Sequence, residues 1–184
     1  MLYTRKGDDG KTKTFGCDQR ISKSSAIAEA LGSLDEINSF LGVCKVLSER
    51  EKFSLSDGTS FAKAIHEVQK NLFIVQAEVA GSKMSITPEK IKEIEDIIDS
   101  IEKELPPIKT FFISGGAKLS AFFDIARTIA RRAERRVVQI TEEKDVEVGG
   151  GTLAYLNRIS SLLYALARLT NHKFGIKEEG PDYK

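Results

Sequence analysis

Residues 117–141 read AKLSAFFDIARTIARRAERRVVQIT. Leu119, Phe122, Ile125 with Ala126, Ile129, Ala133 and Val137 recur at steps of three and four, which makes one stripe of a helix apolar. The same segment carries Arg127, Arg131, Arg132, Arg135 and Arg136, with Glu134 the single acid among them. Steps of four, seven and eight set Arg127, Arg131, Glu134 and Arg135 along one face. Like charges this close repel unless an anion or carboxylates lie opposite. Arginine forks suit polyphosphate because they bind oxygen pairs and never lose their charge. A solvated basic face or a nucleic-acid patch fits this one helix equally well.

Toward the C terminus, Gly149 to Gly151 break the chain and a second helix is expected at about 152–173. Its Leu153, Leu156, Ile159, Leu163 and Leu166 cover much of the circumference, which predicts a central helix. The tail from Gly175 is polar and reads as loose. Toward the N terminus, TFFISGG turns from apolar to glycine-rich and reads as a loop leading into the arginine helix. Before it, Thr87 as N-cap, Pro88 and Glu89 start a helix bearing Ile91, Ile94, Ile98 and Ile101, and Pro106-Pro107 stops it. Ile65, Val68, Leu72, Val75 and Val79 predict a helix at about 60–82, capped by Thr59 or Ser60. Ile27, Leu31, Leu34 and Leu41 predict one at about 23–48, with Ser22 as cap and Asn38 interrupting the stripe. Five long helices with short connections make an all-α five-helix bundle.

The first 22 residues differ from the rest. YTRKGDDGKTKTFG, residues 3–16, shows no apolar period and reads as a loop. Gly7 and Gly10 let backbone N–H groups approach a ligand, and Thr4, Thr12 and Lys13 add hydroxyls and charge. GDDGKT has two residues between its glycines rather than the four of a P-loop, and no strand precedes it. A disordered tail is the other reading. The expected organisation is one domain over 1–184: a flexible N-terminal segment 1–22, a bundle 23–173 and a polar tail 174–184. A domain of this size buries roughly 70% of its unfolded surface and needs no staple.

Composition excludes little else. The chain is 41% hydrophobic and 30% charged, and 28 basic against 27 acidic residues leave +1, so nothing pushes it globally toward nucleic acid or membrane. Cys17 and Cys44 match no metal or redox pattern and read as free thiols. With no secretory signal and no membrane-length apolar run, the expectation is a soluble cytoplasmic protein. His66 and His172 stand apart, so no metal cluster is assigned, and no nucleophilic triad is suggested. Asp35 and Asn38 on the first helix, and Asn157 and Arg158 on the last, are polar groups in apolar surroundings. Asp35 is expected to pair with an arginine of the fourth helix, within the chain or across an interface. Residue by residue, an anion-binding helical bundle emerges; a nucleic-acid binder and a nucleotide binder without chemistry both stay open.

The ordered set TRKGDDGKT, SK, LGSLDEINSFLG, FFISGG, ARTIARRAER and YLNRISSLLYALAR resembles the propanediol-utilisation type of ATP:cob(I)alamin adenosyltransferase, over about Thr4 to Arg168. The resemblance implies a homotrimer of five-helix bundles with active sites between subunits. It implies ATP contacts from Thr4, Arg5, Lys6, Gly7, Thr12, Lys13, Lys23, the run Arg131, Arg132, Ala133, Glu134 and Arg135, and Asn157. Mg²⁺ would be held mainly by the ATP phosphates, with no protein ligand assigned. The catalytic set it implies is Arg127, Arg131, Asp35 and Phe111. Arg127 and Asp35 would pair across subunits beside cobalamin, and Phe111 would lie at the lower face of the corrin ring. A corrinoid reductase or a B12-dependent client enzyme would be its protein partner. Two positions depart from the family pattern: Ser114 stands where proline is common, and Ser161 where aspartate is.

Overall fold

The computed structural model describes residues 2–14 and 20–183. Two short strands, β1 (Lys11–Lys13) and β2 (Arg20–Ser22), precede five helices: α1 (Ala26–Glu51), α2 (Phe61–Val79), α3 (Pro88–Glu104), α4 (Lys118–Glu142) and α5 (Gly150–Lys173). The all-α expectation holds, and each helix lies within a few residues of its predicted span. The caps explain the starts. Ser25 accepts from Ala28 N–H at α1, and Ser60 accepts from Lys63 N–H at α2. Thr87 with Pro88 opens α3 as the sequence predicts.

The helices pack in the order α2, α1, α4, α5, α3, so α4 lies between α1 and α5. The buried stripe of α4 is Leu119, Phe123, Ala126, Ala130, Ala133, Val137 and Ile140; of the expected stripe, Phe122 and Ile129 are half-buried and Ile125 is exposed. Burial on α5 extends around most of its circumference, from Thr152 to Asn171. That breadth makes α5 the central helix. The arginines of α4 are therefore held on a rigid element whose other face is core.

Two expectations are corrected. Residues 3–16 read as a loop, but Lys11–Lys13 pair antiparallel with Arg20–Ser22 in a hairpin. What holds the hairpin is charge rather than apolar alternation. Arg20 donates from Nη1 and Nη2 to the two carboxylate oxygens of Asp9 at 2.8 and 2.7 Å, and from Nη2 to the Lys11 carbonyl at 3.1 Å. The second correction is the tail. It reads as loose, yet Ile176 N–H bonds the Asn171 carbonyl at 2.9 Å and Ile113 N–H bonds the Glu179 carbonyl at 2.8 Å. Glu178 also bonds two side chains of α5 (below). Cys44 is buried in the core, which pushes its thiol up to about 12, so it stays protonated and inert. Cys17 lies outside the described residues. Among the described residues, no helix is long and apolar enough to cross a membrane.

Candidate active site

Four of the five arginines of α4 divide between α1 and a cleft on the α5 side. Arg132 pairs with Glu36 of α1, and Arg136 Nε lies 3.6 Å from Glu29 of the same helix. On the α5 side, Glu134 accepts from Asn157 Nδ2 at 3.0 Å, and Asn157 Oδ1 accepts from Arg158 Nη1 at 2.9 Å. Arg158 in turn reaches Glu95 of α3 at 2.8 Å. Arg127 and Arg131, one turn apart, line a cleft of about 1030 Å³. The Nε of Arg127 is buried without a hydrogen-bond partner, and Arg131 and Arg135 are exposed. Ala133 lies on the core side, where it can offer only backbone.

The cleft has two kinds of wall. Ile98, Leu105, Pro106, Ile108, Phe111 and Phe112 form an apolar side, and Arg127, Arg131, Ser160, Ser161 and Tyr164 a polar one. Phe111 is 78% exposed, an aromatic ring presented to solvent by a loop. Ile108 and Ile113 of the same segment are exposed as well, so the loop presents several apolar side chains rather than one. Both departures from the family pattern, Ser114 and Ser161, also line this cleft.

The cleft floor holds a group that sequence reading missed. Arg168 on α5 is 2% exposed and Asp124 on α4 is 5% exposed. Arg168 Nη2 donates to both carboxylate oxygens of Asp124, at 3.0 and 2.8 Å, while its Nη1 lies 2.5 Å from Glu178 Oε1. The guanidinium also sits over the rings of Tyr164 and Phe112, 5.1 and 5.9 Å from their centroids. Burial raises the Tyr164 phenol above its ordinary pKa. A single acid inside SAFFDIA and a single base inside LLYALARLT were the available signal, since a lone charge in an apolar helix face needs a partner.

The N-terminal residues form a second group at the entrance to α1. Lys23 Nζ donates to the Gly7 carbonyl at 2.8 Å, and Lys23 N–H to the Gly10 carbonyl at 2.9 Å. A Cβ on Gly7 would lie 2.9 Å from the Lys23 ammonium, so only glycine fits that close approach without displacing it. Lys6 N–H bonds Thr4 Oγ1 at 3.4 Å, the Arg5 guanidinium lies over the Tyr3 ring, and Thr12 pairs in the hairpin. The Arg20 hydrogen bonds hold the Asp9 carboxyl below its ordinary pKa. Among the described residues, no hydrogen bond or ion pair links Thr4, Arg5, Lys6, Gly7, Thr12 or Lys23 to α4. Asp35 is a further correction to the intrachain option: it is exposed and, among the described residues, makes no ion pair with α4, whose Arg132 and Arg136 take Glu36 and Glu29 instead.

An arginine-bearing helix thus stands at the rim of a cleft of about 1030 Å³ with one apolar wall. Comparison with known proteins is specific. The family model for cobalamin adenosyltransferase matches residues 2–170. A corrinoid adenosyltransferase of Bacillus subtilis is 37% identical over 182 residues, covering 95% of this chain and 89% of that one. The corrinoid adenosyltransferase PduO of Citrobacter freundii is 34% identical across 93% of this chain, which spans 50% of that longer protein. Among solved structures, a phenylalanine-to-histidine variant of a PduO-type ATP:corrinoid adenosyltransferase from Lactobacillus reuteri, complexed with cobalamin and ATP, superposes with a TM-score of 0.87. It is 27% identical, with 100% of this chain and 97% of that one covered. The chain belongs to the cobalamin adenosyltransferase family.

Proposed function

We propose that this protein transfers the 5′-deoxyadenosyl group of ATP to the cobalt of a reduced corrinoid, giving adenosylcobalamin and triphosphate. The observation that carries the reading is the pairing of Arg127 and Arg131 with an apolar wall in one cleft of about 1030 Å³. Cob(I)alamin attacks the 5′ carbon with its own electron pair, a cobalt–carbon bond forms, and the carbon–oxygen bond to triphosphate breaks. Triphosphate leaves with the bonding pair. No general base is required, because the reduced cobalt is itself the nucleophile. Arg131, Arg135 and the Lys6–Gly7–Lys23 group gather the leaving charge electrostatically. Phosphate oxygens are the hard donors Mg²⁺ prefers, and the ion arrives on the triphosphate. The described residues gather no group of three His, Cys, Asp or Glu side chains to hold it themselves. Phosphorus NMR of the products tests the reaction type: triphosphate supports adenosyl transfer, and ADP or pyrophosphate contradicts it.

That no hydrogen bond joins Lys6, Gly7 or Lys23 to α4 among the described residues favours a site assembled between subunits of a homotrimer. The exposed, unpaired Asp35 meets the Arg127 of a neighbour there, whose Nε lacks a partner within its own chain. The protein works in the cytoplasm, taking its corrinoid from a reductase or passing its product to a B12-dependent enzyme.

Phe111 stands at the lower face of the corrin ring, where an apolar group displaces the axial ligand and makes cobalt easier to reduce. The apolar contact of a buried Phe is worth about 1.5–3 kcal/mol. Phe111→Ala is therefore expected to slow turnover from cob(II)alamin plus reductant roughly ten- to hundredfold. Turnover from chemically prepared cob(I)alamin falls much less. An unchanged rate from cob(II)alamin, in a folded variant, removes Phe111 from this role.

A further inference from the structure

The loop that presents Phe111 is fastened from behind by the C-terminal tail. Glu178 Oε1 lies 2.5 Å from Arg168 Nη1 and accepts from Asn171 Nδ2 at 2.7 Å. Asn171 spans the base of the loop: its Nδ2 donates to the Gly115 carbonyl at 2.9 Å and its Oδ1 accepts from Ala117 N–H at 3.0 Å. Ala117 at the N-cap of α4 has no side chain to accept from the first turn, and Asn171 satisfies the N–H of Ala117 itself, one of the amides left open at a helix start. Asp124 accepts from Gly115 N–H at 3.2 Å while holding Arg168. Gly116 has φ of 94°, and a Cβ there would lie 2.5 Å from Asn171 Oδ1, so only glycine lets the turn approach Asn171 this closely. Farther along the tail, the Glu179 carbonyl takes Ile113 N–H, and a Cβ on Gly180 would touch Thr110 and the Phe111 carbonyl at 3.5 and 3.6 Å. Phe112, next to Phe111, lies against the Arg168 guanidinium.

We propose that Glu178 is a positioning residue: through Arg168 and Asn171 it locks the loop 110–116 so that Phe111 faces the corrinoid. The inference rests on the reading of the cleft as the corrinoid site, and it adds a device outside the span 2–170 that the family model matches. Glu178 touches no reacting atom. Its effect passes through the loop, so it acts on the corrinoid side of the reaction and leaves the ATP side alone.

The test compares Glu178→Ala and Glu178→Gln in the full-length protein. In Glu178→Ala, Arg168 and Asn171 lose a shared acceptor, whereas the glutamine oxygen can still take both N–H groups. Amide hydrogen exchange reads the loop without reference to function. The Ile113 and Ala117 amides of Glu178→Ala should exchange roughly tenfold faster, with the middles of α4 and α5 unchanged. Anaerobic kinetics should show KM for cob(I)alamin raised roughly tenfold and KM for ATP within about twofold of the parent. Electron paramagnetic resonance of cob(II)alamin bound with ATP should show a smaller fraction lacking the lower axial ligand. Glu178→Gln should recover most of each effect. Parental exchange at Ile113 and Ala117 in Glu178→Ala overturns the locking role, whatever the chemistry. Faster exchange with unchanged corrinoid kinetics and spectrum overturns the link to Phe111. Faster exchange throughout α4 and α5, with both KM values raised, shows general loosening and overturns it too. A parent protein that makes no cobalt–carbon product sinks the functional reading, while the exchange measurement still decides the locking role.

Discussion

Replacing Arg131 with alanine is expected to lower kcat by roughly 10²–10³ while the fold stays intact. Arg131 is exposed, lines the cleft one turn from Arg127, and its guanidinium makes no hydrogen bond within the chain among the described residues. Its removal therefore costs the fold little. Its proposed work is done at the transition state, where charge moves from the 5′ carbon onto the triphosphate. A guanidinium fork binds two phosphate oxygens at once and keeps its charge at every working pH. Arg131→Lys keeps the charge but loses the fork, so it should fall between parent and alanine. Arg132 makes a useful contrast, because Glu36 already neutralises it in the free chain. Steady-state kinetics with saturating ATP and cob(I)alamin decides the matter. Near-parental kcat in a folded Arg131→Ala protein would remove this residue from the leaving group.

Arg168→Ala is expected to be the most damaging single change for stability. It leaves the Asp124 carboxylate, 5% exposed, without its bidentate partner, and Glu178 without its cation. Breaking a buried ion pair from one side costs about 3–5 kcal/mol. At roughly 2–4 °C per kcal/mol for a domain of this size, Tm should drop by about 6–20 °C. Replacing both partners by apolar residues of similar volume, Arg168→Met with Asp124→Leu, should restore much of the loss, because no unpaired charge remains. Calorimetry on the three proteins tests this. A Tm for Arg168→Ala within about 2 °C of the parent would mean that water or local movement already satisfies Asp124. If the double variant regains Tm but binds corrinoid poorly, the pair serves the loop more than the bundle.

The helices were legible because they are encoded locally. Thr87, Pro88 and the isoleucines at helical spacing placed α3 correctly from its first residue. The start of α1 shifted because Ser22 ends β2, where its hydroxyl lies 2.8 Å from that of Ser24, and Ser25 takes the cap. The hairpin and the docked tail were not legible, since each depends on a partner distant in sequence. Lys11 meets Ser22 with no apolar alternation to announce it, and Glu178 reads as solvated until Arg168 is seen buried behind it. At the site, helical spacing found Arg127 and Arg131 on one face, and the cleft brings them together. Periodicity could not assign Phe111, which sits in an irregular loop; only the resemblance singled it out. Spacing could not show that Arg132 and Arg136 turn toward α1 while Arg127 turns toward α5. That division depends on which helix lies on each side of α4.

The most direct measurement is an anaerobic absorbance assay with ATP, Mg²⁺ and chemically reduced cob(I)alamin. Loss of the cob(I)alamin band, with a light-sensitive cobalt–carbon product and one triphosphate released per product, is the predicted result. A folded protein that binds ATP yet leaves the cob(I)alamin band intact would contradict adenosyl transfer and leave only a nucleotide-binding bundle.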